Sequence, residues 1–214
     1  MEIVSIVIHV GKKMFQGKRI LIIGAHPDDI EFGMGATLNQ IKDEEIKIVV
    51  FSSTTERNGN LILSELRKSM DIYGLSFTLI KDIPNMHFQD NHTRINQILY
   101  DIKNEFKPDI IMCTSKRSVN PDHKTLAESV LAVFQEHTIL YYEVVRGDYE
   151  HVPNLYNRVS VEDVMVKQQA LMQYDTQSKV AYMSTKIIQA QMVFRGAQCK
   201  SVFAEAFEVG RIII

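Results

Sequence analysis

The chain has 214 residues, of which 45% are hydrophobic and 23% charged, and a formal net charge of −2 at pH 7. That is the composition of a single globular domain with enough apolar material for a full core, and so balanced a charge excludes nucleic-acid binding by bulk electrostatics. Two cysteines, Cys113 and Cys199, stand far apart with no Cys-x-x-Cys pair, which excludes a disulfide framework and a cysteine zinc site and fits a reducing, cytoplasmic setting.

Residues 1–10 are apolar but interrupted by Glu2 and His9. They lack the basic start and small-residue cleavage site of a signal peptide, and they are too short to span a bilayer. They read as an added strand or a docking arm, so we place an N-terminal extension at residues 1–17 and one domain at 18–214. Arg19–Gly24 is a continuous apolar run, as a strand covered on both faces requires. The pattern then predicts a helix over 31–42, a strand over 46–52 and a polar loop over 53–60. A helix over 61–73 is stopped by Gly74, and a short strand over 76–80 precedes a loop over 81–91. A helix over 93–106 ends at Lys107-Pro108. Next come a strand over 109–114, a helix over 122–135 with Pro121 near its start, and a strand over 138–144. Residues 146–157 carry no predicted element. Helices over 161–174 and 179–194 and a last strand over 203–209 complete the chain.

This alternation specifies an α/β fold: a Rossmann-like open sheet, mostly parallel, with helices on both faces, in a single domain. In the common strand order the strands at 19–24 and 109–114 are neighbours, and the chain reverses direction between them. Ligands bind in the crevice outside the carboxyl ends of such a pair.

Two polar clusters fall at that crevice. Gly24-Ala25-His26-Pro27-Asp28-Asp29-Ile30-Glu31 follows the first of these strands, and Asn120-Pro121-Asp122-His123 follows the second. His26, Asp29 and His123 offer two imidazoles and a carboxylate, a donor set that zinc takes while keeping a position open for water. Asp28 is left over to accept a proton from water as general base. The combination points to a zinc-dependent amide hydrolase. The other reading of the aspartate pair is helix capping, which Asp favours, but capping gives no reason for His26. Asp122 is either a hydrogen-bond partner to another site group or a helix cap. Glu31, Arg57, Arg146 and His151 fall in or near strand-end loops. Arg57 and Arg146 are the expected contacts to a hydroxylated or phosphorylated ligand, the alternative being solvated loop charges. Gly33 and Gly35 would permit close backbone approach near the metal. The run Phe32-Gly33-Met34-Gly35-Ala36 is not a dinucleotide fingerprint, because Leu38 stands at the third glycine, and no P-loop or nucleophile elbow is present.

These residues resemble the PIG-L/LmbE family of zinc-dependent N-acetyl-sugar deacetylases. The hallmarks of that family are an Ala-His-Pro-Asp-Asp motif after the first strand and a second motif ending in Asp-His. Ala25-His26-Pro27-Asp28-Asp29 matches the first in full, and Asp122-His123 matches the end of the second. Gly33-Met34-Gly35-Ala36-Thr37, Glu65 before Tyr73-Gly74, Lys107-Pro108-Asp109 and Ala204-Glu205-Ala206-Phe207 are further echoes, so the resemblance runs from about Lys18 to Phe207. It implies His26, Asp29 and His123 as ligands to Zn2+, with Fe2+ as the alternative, and Asp28 as the base. It also implies removal of acetyl from an N-acetylglucosamine-type sugar or glycoconjugate, and a homo-oligomer, trimeric or hexameric. Asn120 stands where many members carry a His that stabilises the oxyanion or acts as an acid. An Asn amide still donates a hydrogen bond but delivers no proton, so Asn120 is expected to keep the donor half of that role. Ile62 stands where many members place an Arg, with Arg57 as the expected substitute. Two other readings stay open: a metal hydrolase of a non-sugar amide, and a catalytically weakened metal- or sugar-binding homologue.

Overall fold

A computed structural model describes residues 8–10, 12–51 and 59–213. Its strands are β1 (Ile8–Val10), β2 (Arg19–Gly24), β3 (Glu45–Val50), β4 (Thr78–Leu79), β5 (Ile110–Thr114), β6 (Thr138–Tyr142), β7 (Leu155–Val159) and β8 (Phe203–Arg211). The helices are α1 (Asp29–Ile41), α2 (Gly59–Tyr73), α3 (His92–Phe106), α4 (Pro121–Val133), α5 (Val161–Leu171) and α6 (Thr185–Gln198). The apolar run of β2 is a strand because both of its faces are covered. Ile20 and Ile22 enter a core shared with α1, α2, α5 and α6, whereas Leu21 and Ile23 enter a second core with α3 and α4. Side chains alternate across a strand, so an unbroken apolar sequence is what a three-layer arrangement selects.

Among the described residues the strands form one sheet in the order β1-β7-β8-β6-β5-β2-β3-β4. Every neighbour pair is parallel except those that β8 makes with β6 and β7. The stretch β4-β3-β2-β5-β6 has the expected doubly wound order, with β2 beside β5 in the register Ile23 to Cys113. Their carboxyl ends are therefore level, and the loops that follow rise on the same side of the sheet.

The structure departs from the predicted elements in two places, and the start of the chain takes the added-strand alternative. Residues 155–159, without a predicted element, form β7, whose pattern is broken by Asn157, a buried polar residue bonded to Thr37 and Gln40. The helix predicted over 179–194 starts later, where Ser184 accepts the Ile187 N–H as N-cap, and 3₁₀ turns occupy Asp175–Gln177 and Ala181–Met183. At the start of the chain β1 pairs parallel with β7, and Phe15 is fully buried in the main core. Residues 1–7 and 11 lie outside the described residues.

Helix α1 carries a break at Met34 (φ −147°, ψ 23°). Gly33 and Gly35 flank it, and their role differs from the expected one. A Cβ on Gly33 would lie 2.2 Å from Tyr142 Cδ2, and one on Gly35 2.7 Å from the Tyr73 hydroxyl and 3.0 Å from Lys167 Cγ. The close approaches seat the helix on the sheet and against α2 and α5, not against His26, Asp29 or His123. Past the break the N–H groups of Ala36 and Thr37 donate to the Glu205 carboxylate (3.1 and 2.6 Å), which also receives Lys167 Nζ at 2.6 Å. No helix among the described residues is long and apolar enough to cross a membrane.

Candidate metal centre and cleft

His26 to Asp29 form the turn from β2 into α1. The His26 N–H donates to Asp29 Oδ2 at 2.8 Å, which draws the carboxylate under the imidazole. Asp28 is the N-cap of α1 and has φ +85°, ψ −26°, with no side-chain capping bond. The left-handed region costs an L-residue about 1–2 kcal/mol, and Asp is among the few that visit it. An N-cap aspartate that caps nothing removes the support for the capping reading of this residue. Its backbone is held from below instead. The Asp28 N–H donates to the Tyr174 hydroxyl (3.1 Å), which donates to Glu31 Oε1 (2.6 Å), and Ser69 Oγ donates to the same oxygen (2.6 Å). Glu31 is thus a buried anchor under the turn.

His123 stands in the first turn of α4. Asn120 caps this helix, its Oδ1 accepting the Asp122 N–H at 2.9 Å. That leaves Asp122 to its other expected part. Its fully buried carboxylate accepts from His26 Nε2 (3.0 Å) and from the N–H groups of Met86 (2.6 Å) and Phe88 (3.2 Å). His123 Nδ1 meets Ser118 Oγ at 3.3 Å. With the outer nitrogen of each ring engaged, the inner ones turn inward. His26 Nδ1 and His123 Nε2 are 3.3 Å apart, and His123 Nε2 is 3.2 Å from Asp29 Oδ1. Ligand atoms of His26, Asp29 and His123 all lie within 4.8 Å of one another.

The adjacent aspartates titrate in opposite directions. Burial raises the Asp28 pKa, and the negative charges of Asp29 and Glu31 push it well above the ordinary carboxylate range against His26 and Arg146. Burial would raise Asp29 as well, but the charges and hydrogen bonds of His123 and His26 outweigh it and hold that carboxyl far below its ordinary value. Burial alone would lower His26, yet Asp122 and Asp29 raise it to about 10. Pairs of like groups driven apart in this way mark acid–base assignments. The field that keeps a proton on His26 is also one that attracts a divalent cation. Two inward imidazole nitrogens and a carboxylate, each ring oriented through its outer nitrogen, fit such an ion.

The cluster forms the floor of a cleft of about 630 Å³, whose walls include Asn120, Arg146 and Ile62. Arg57 lies outside the described residues. His151 does not line the cleft. Sequence reasoning missed Tyr174, Ser69 and Ser118. Ser118 had a signal, being a hydroxyl in the same loop as Asn120. Tyr174 had none, since it lies 146 positions from the peptide it supports.

A cation-attracting cluster at the switch point of a doubly wound sheet is a ligand site, and similarity to known proteins gives its class as deacetylase. Residues 21–134, more than half of the chain, match the PIG-L family model described as GlcNAc-PI de-N-acetylase, and the chain belongs to that family. It is 29% identical to the uncharacterized deacetylase YaiS of Escherichia coli (strain K12), covering 72% of this chain and 89% of that protein. The fold is shared with a conserved protein of Thermus thermophilus (18% identity, TM-score 0.74, 92% and 96% of the two chains). It is shared too with an N,N'-diacetylchitobiose deacetylase of Pyrococcus horikoshii (18% identity, TM-score 0.69, 91% and 84%).

Proposed function

We propose that this protein is a divalent-metal-dependent N-deacetylase that releases acetate from an N-acetylglucosamine-type sugar conjugate. The observation that carries this reading is the pairing of Asp29, drawn down beside two imidazoles, with Asp28, pushed up beside it and engaged in no cap. His26, Asp29 and His123 would hold the ion, Zn2+ or Fe2+, since this donor set suits either. A bound divalent ion supplies Lewis acidity toward the amide carbonyl and lowers the pKa of water.

Asp28 takes the proton of the attacking water. Its raised pKa makes it a better base than an ordinary carboxylate, and the proton it gains is then available to the leaving amine. Asn120 has its Oδ1 committed to the Asp122 N–H, so its NH₂ is the free end, the donor for the oxyanion that develops on the carbonyl. Asp122 acts through His26, fixing its ring by the 3.0 Å bond to Nε2. Arg146 on the cleft wall is a donor to sugar hydroxyls or an acidic substituent. The sugar class is supported by the family description. The cytoplasm is supported by two free, buried cysteines. Residues 18–214 are the proposed catalytic domain.

Acetate release tests the reading. The protein, stripped with chelator and reloaded with Zn2+ or Fe2+, is offered N-acetylglucosaminides beside simple acetamides. Metal-restored turnover confined to the sugars is the expected result. Turnover of the simple acetamides alone would make it a hydrolase of non-sugar amides, and turnover of neither would leave a binding protein.

A further inference from the structure

The two inward-facing imidazoles are held by different groups. His26 has the Asp122 carboxylate on its outer nitrogen at 3.0 Å, whereas His123 has the Ser118 hydroxyl at 3.3 Å. A carboxylate can only accept, so it puts a proton on the nitrogen it meets. A hydroxyl can give or take a hydrogen bond, so Ser118 alone does not decide which His123 nitrogen carries the proton. The choice matters, because a protonated Nε2 has no lone pair for an ion.

The direction of the Ser118 hydroxyl is set by the next loop. Strands β5 and β6 are parallel neighbours with Thr114 beside Tyr142, so the loops that follow them lie side by side. They are laced together. The Val119 N–H donates to the Gly147 carbonyl at 2.8 Å, and a Cβ on Gly147 would lie 3.0 Å from Ser118 Oγ. The residue after that glycine is Asp148, a buried carboxyl. Its Oδ2 accepts the Val144 N–H at 2.7 Å. Its Oδ1 is buried and receives no other hydrogen bond among the described residues, and the Ser118 hydroxyl is the side-chain donor that acts on this carboxyl. A buried carboxylate oxygen left unpaired is costly, and a hydroxyl hydrogen rotates to suit its surroundings. With that hydrogen turned to Asp148, the Ser118 oxygen keeps two lone pairs. Two groups lie against it, the Asn120 backbone N–H and His123 Nδ1, each at 3.3 Å. The hydroxyl is then fully used only if both of them donate.

We propose that Asp148 is a positioning residue that acts through Ser118. Its carboxylate accepts the Ser118 O–H, the Ser118 oxygen accepts from His123 Nδ1–H, and His123 Nε2 is thereby kept unprotonated toward His26 and Asp29 for a divalent ion. This rests on the metal-dependent reading given above.

The test is the affinity of the full chain for Zn2+, measured by competition with a chromophoric chelator at pH 8. Asp148→Asn keeps an oxygen for the Val144 N–H but turns an N–H toward Ser118. The hydroxyl then points at His123 and drives the proton to Nε2. The expected result is a Zn2+ Kd about 10–100-fold higher, with a smaller rise for Ser118→Ala, which frees the ring without reversing it. Added to Ser118→Ala, Asp148→Asn should have no further effect. An undiminished effect in that background would overturn the route through Ser118, and a Kd unchanged in Asp148→Asn would overturn the proposal while leaving the metal centre in place. Nuclear magnetic resonance of the Zn2+-loaded wild type with 15N-labelled histidine reads the same point without a variant. A proton on His123 Nδ1 is expected, and one on Nε2 would overturn the proposal. Zn2+ binding with the expected variant pattern but no acetate release would uphold the proposal and overturn the deacetylase reading, and no Zn2+ binding by the wild type would overturn both.

Discussion

Helix α1 passes two buried groups of charges, and they are built to opposite rules. Past its break, Glu205 takes the Ala36 and Thr37 N–H groups and the Lys167 ammonium, and both side chains are almost wholly buried. Each charge there has its partner within the chain. At the start of the helix Asp28 and Asp29 lie with two imidazoles on the floor of an open cleft, Asp122 holds His26 from behind and Glu31 sits under the turn, and Asp28 is driven toward its neutral form by burial and by the charges of Asp29 and Glu31. The first cluster is balanced and closed, so it holds the helix to the sheet. In the second, four carboxyl groups crowd two imidazoles, an imbalance that the proposed divalent ion would offset. Burial of charge therefore does not mark a site by itself; imbalance facing a cleft does.

The comparison breaks most sharply if Asp28→Asn is made. We expect kcat to fall by about 10²–10⁴-fold with the metal retained. Stability of the metal-free variant should match or exceed that of the parent at pH 8, measured by denaturant unfolding. The sign follows from the raised pKa of Asp28. The folded state holds that proton more tightly than the unfolded one, so its contribution is present at low pH and lost as pH rises. Lys167→Met should do the reverse. It strands Glu205 and lowers stability by about 3–5 kcal/mol, a fall in Tm of roughly 6–20 °C, while metal per folded chain stays constant. A Lys167→Met protein that lost its metal without losing stability would erase the distinction between the clusters.

Smaller effects sharpen it. Asn120→Ala should lower kcat by about a hundredfold through the lost donor and reduce stability by about 1 kcal/mol through the lost cap. An unchanged kcat would remove Asn120 from the chemistry. Asp148, buried beside the site, is pushed up to about 6 by burial, against the Val144 N–H and the Ser118 hydroxyl. Its stabilising contribution is full below about pH 4 and fades as pH rises through 6. Asp148→Asn should therefore gain on the metal-free parent by about 1–3 kcal/mol at pH 8 and not at pH 4, read from unfolding curves at the two pH values. Deleting residues 1–10 removes the edge strand β1 and should shift Tm by a few degrees at most. Deleting 1–17 also removes Phe15 from the core and should cost about 3–5 kcal/mol more. Equal effects of the two deletions would place the start of the folded unit at residue 18.

The parallel half of the sheet was legible because its strands are buried on both faces and read as unbroken apolar runs. The order of those strands then brought His26 and His123 together across 97 positions. β7 was not legible, because its buried Asn157 is satisfied by Thr37 and Gln40, and such a partner is invisible from local pattern. The choice between cap and partner for Asp122 was symmetrical in the sequence. Asn120 resolved it by taking the cap, which only the folded chain displays. The left-handed backbone of Asp28 is likewise set by Tyr174 and Glu31 from outside the motif.

Asp29 is proposed to hold a divalent ion and Asp28 to stand outside its ligands. Elemental analysis of wild type, Asp28→Asn and Asp29→Ala, purified side by side, separates the two roles. About one divalent ion per chain is expected in the first two proteins and none in the third. An ion kept by Asp29→Ala, or lost from Asp28→Asn, would refute this division of roles.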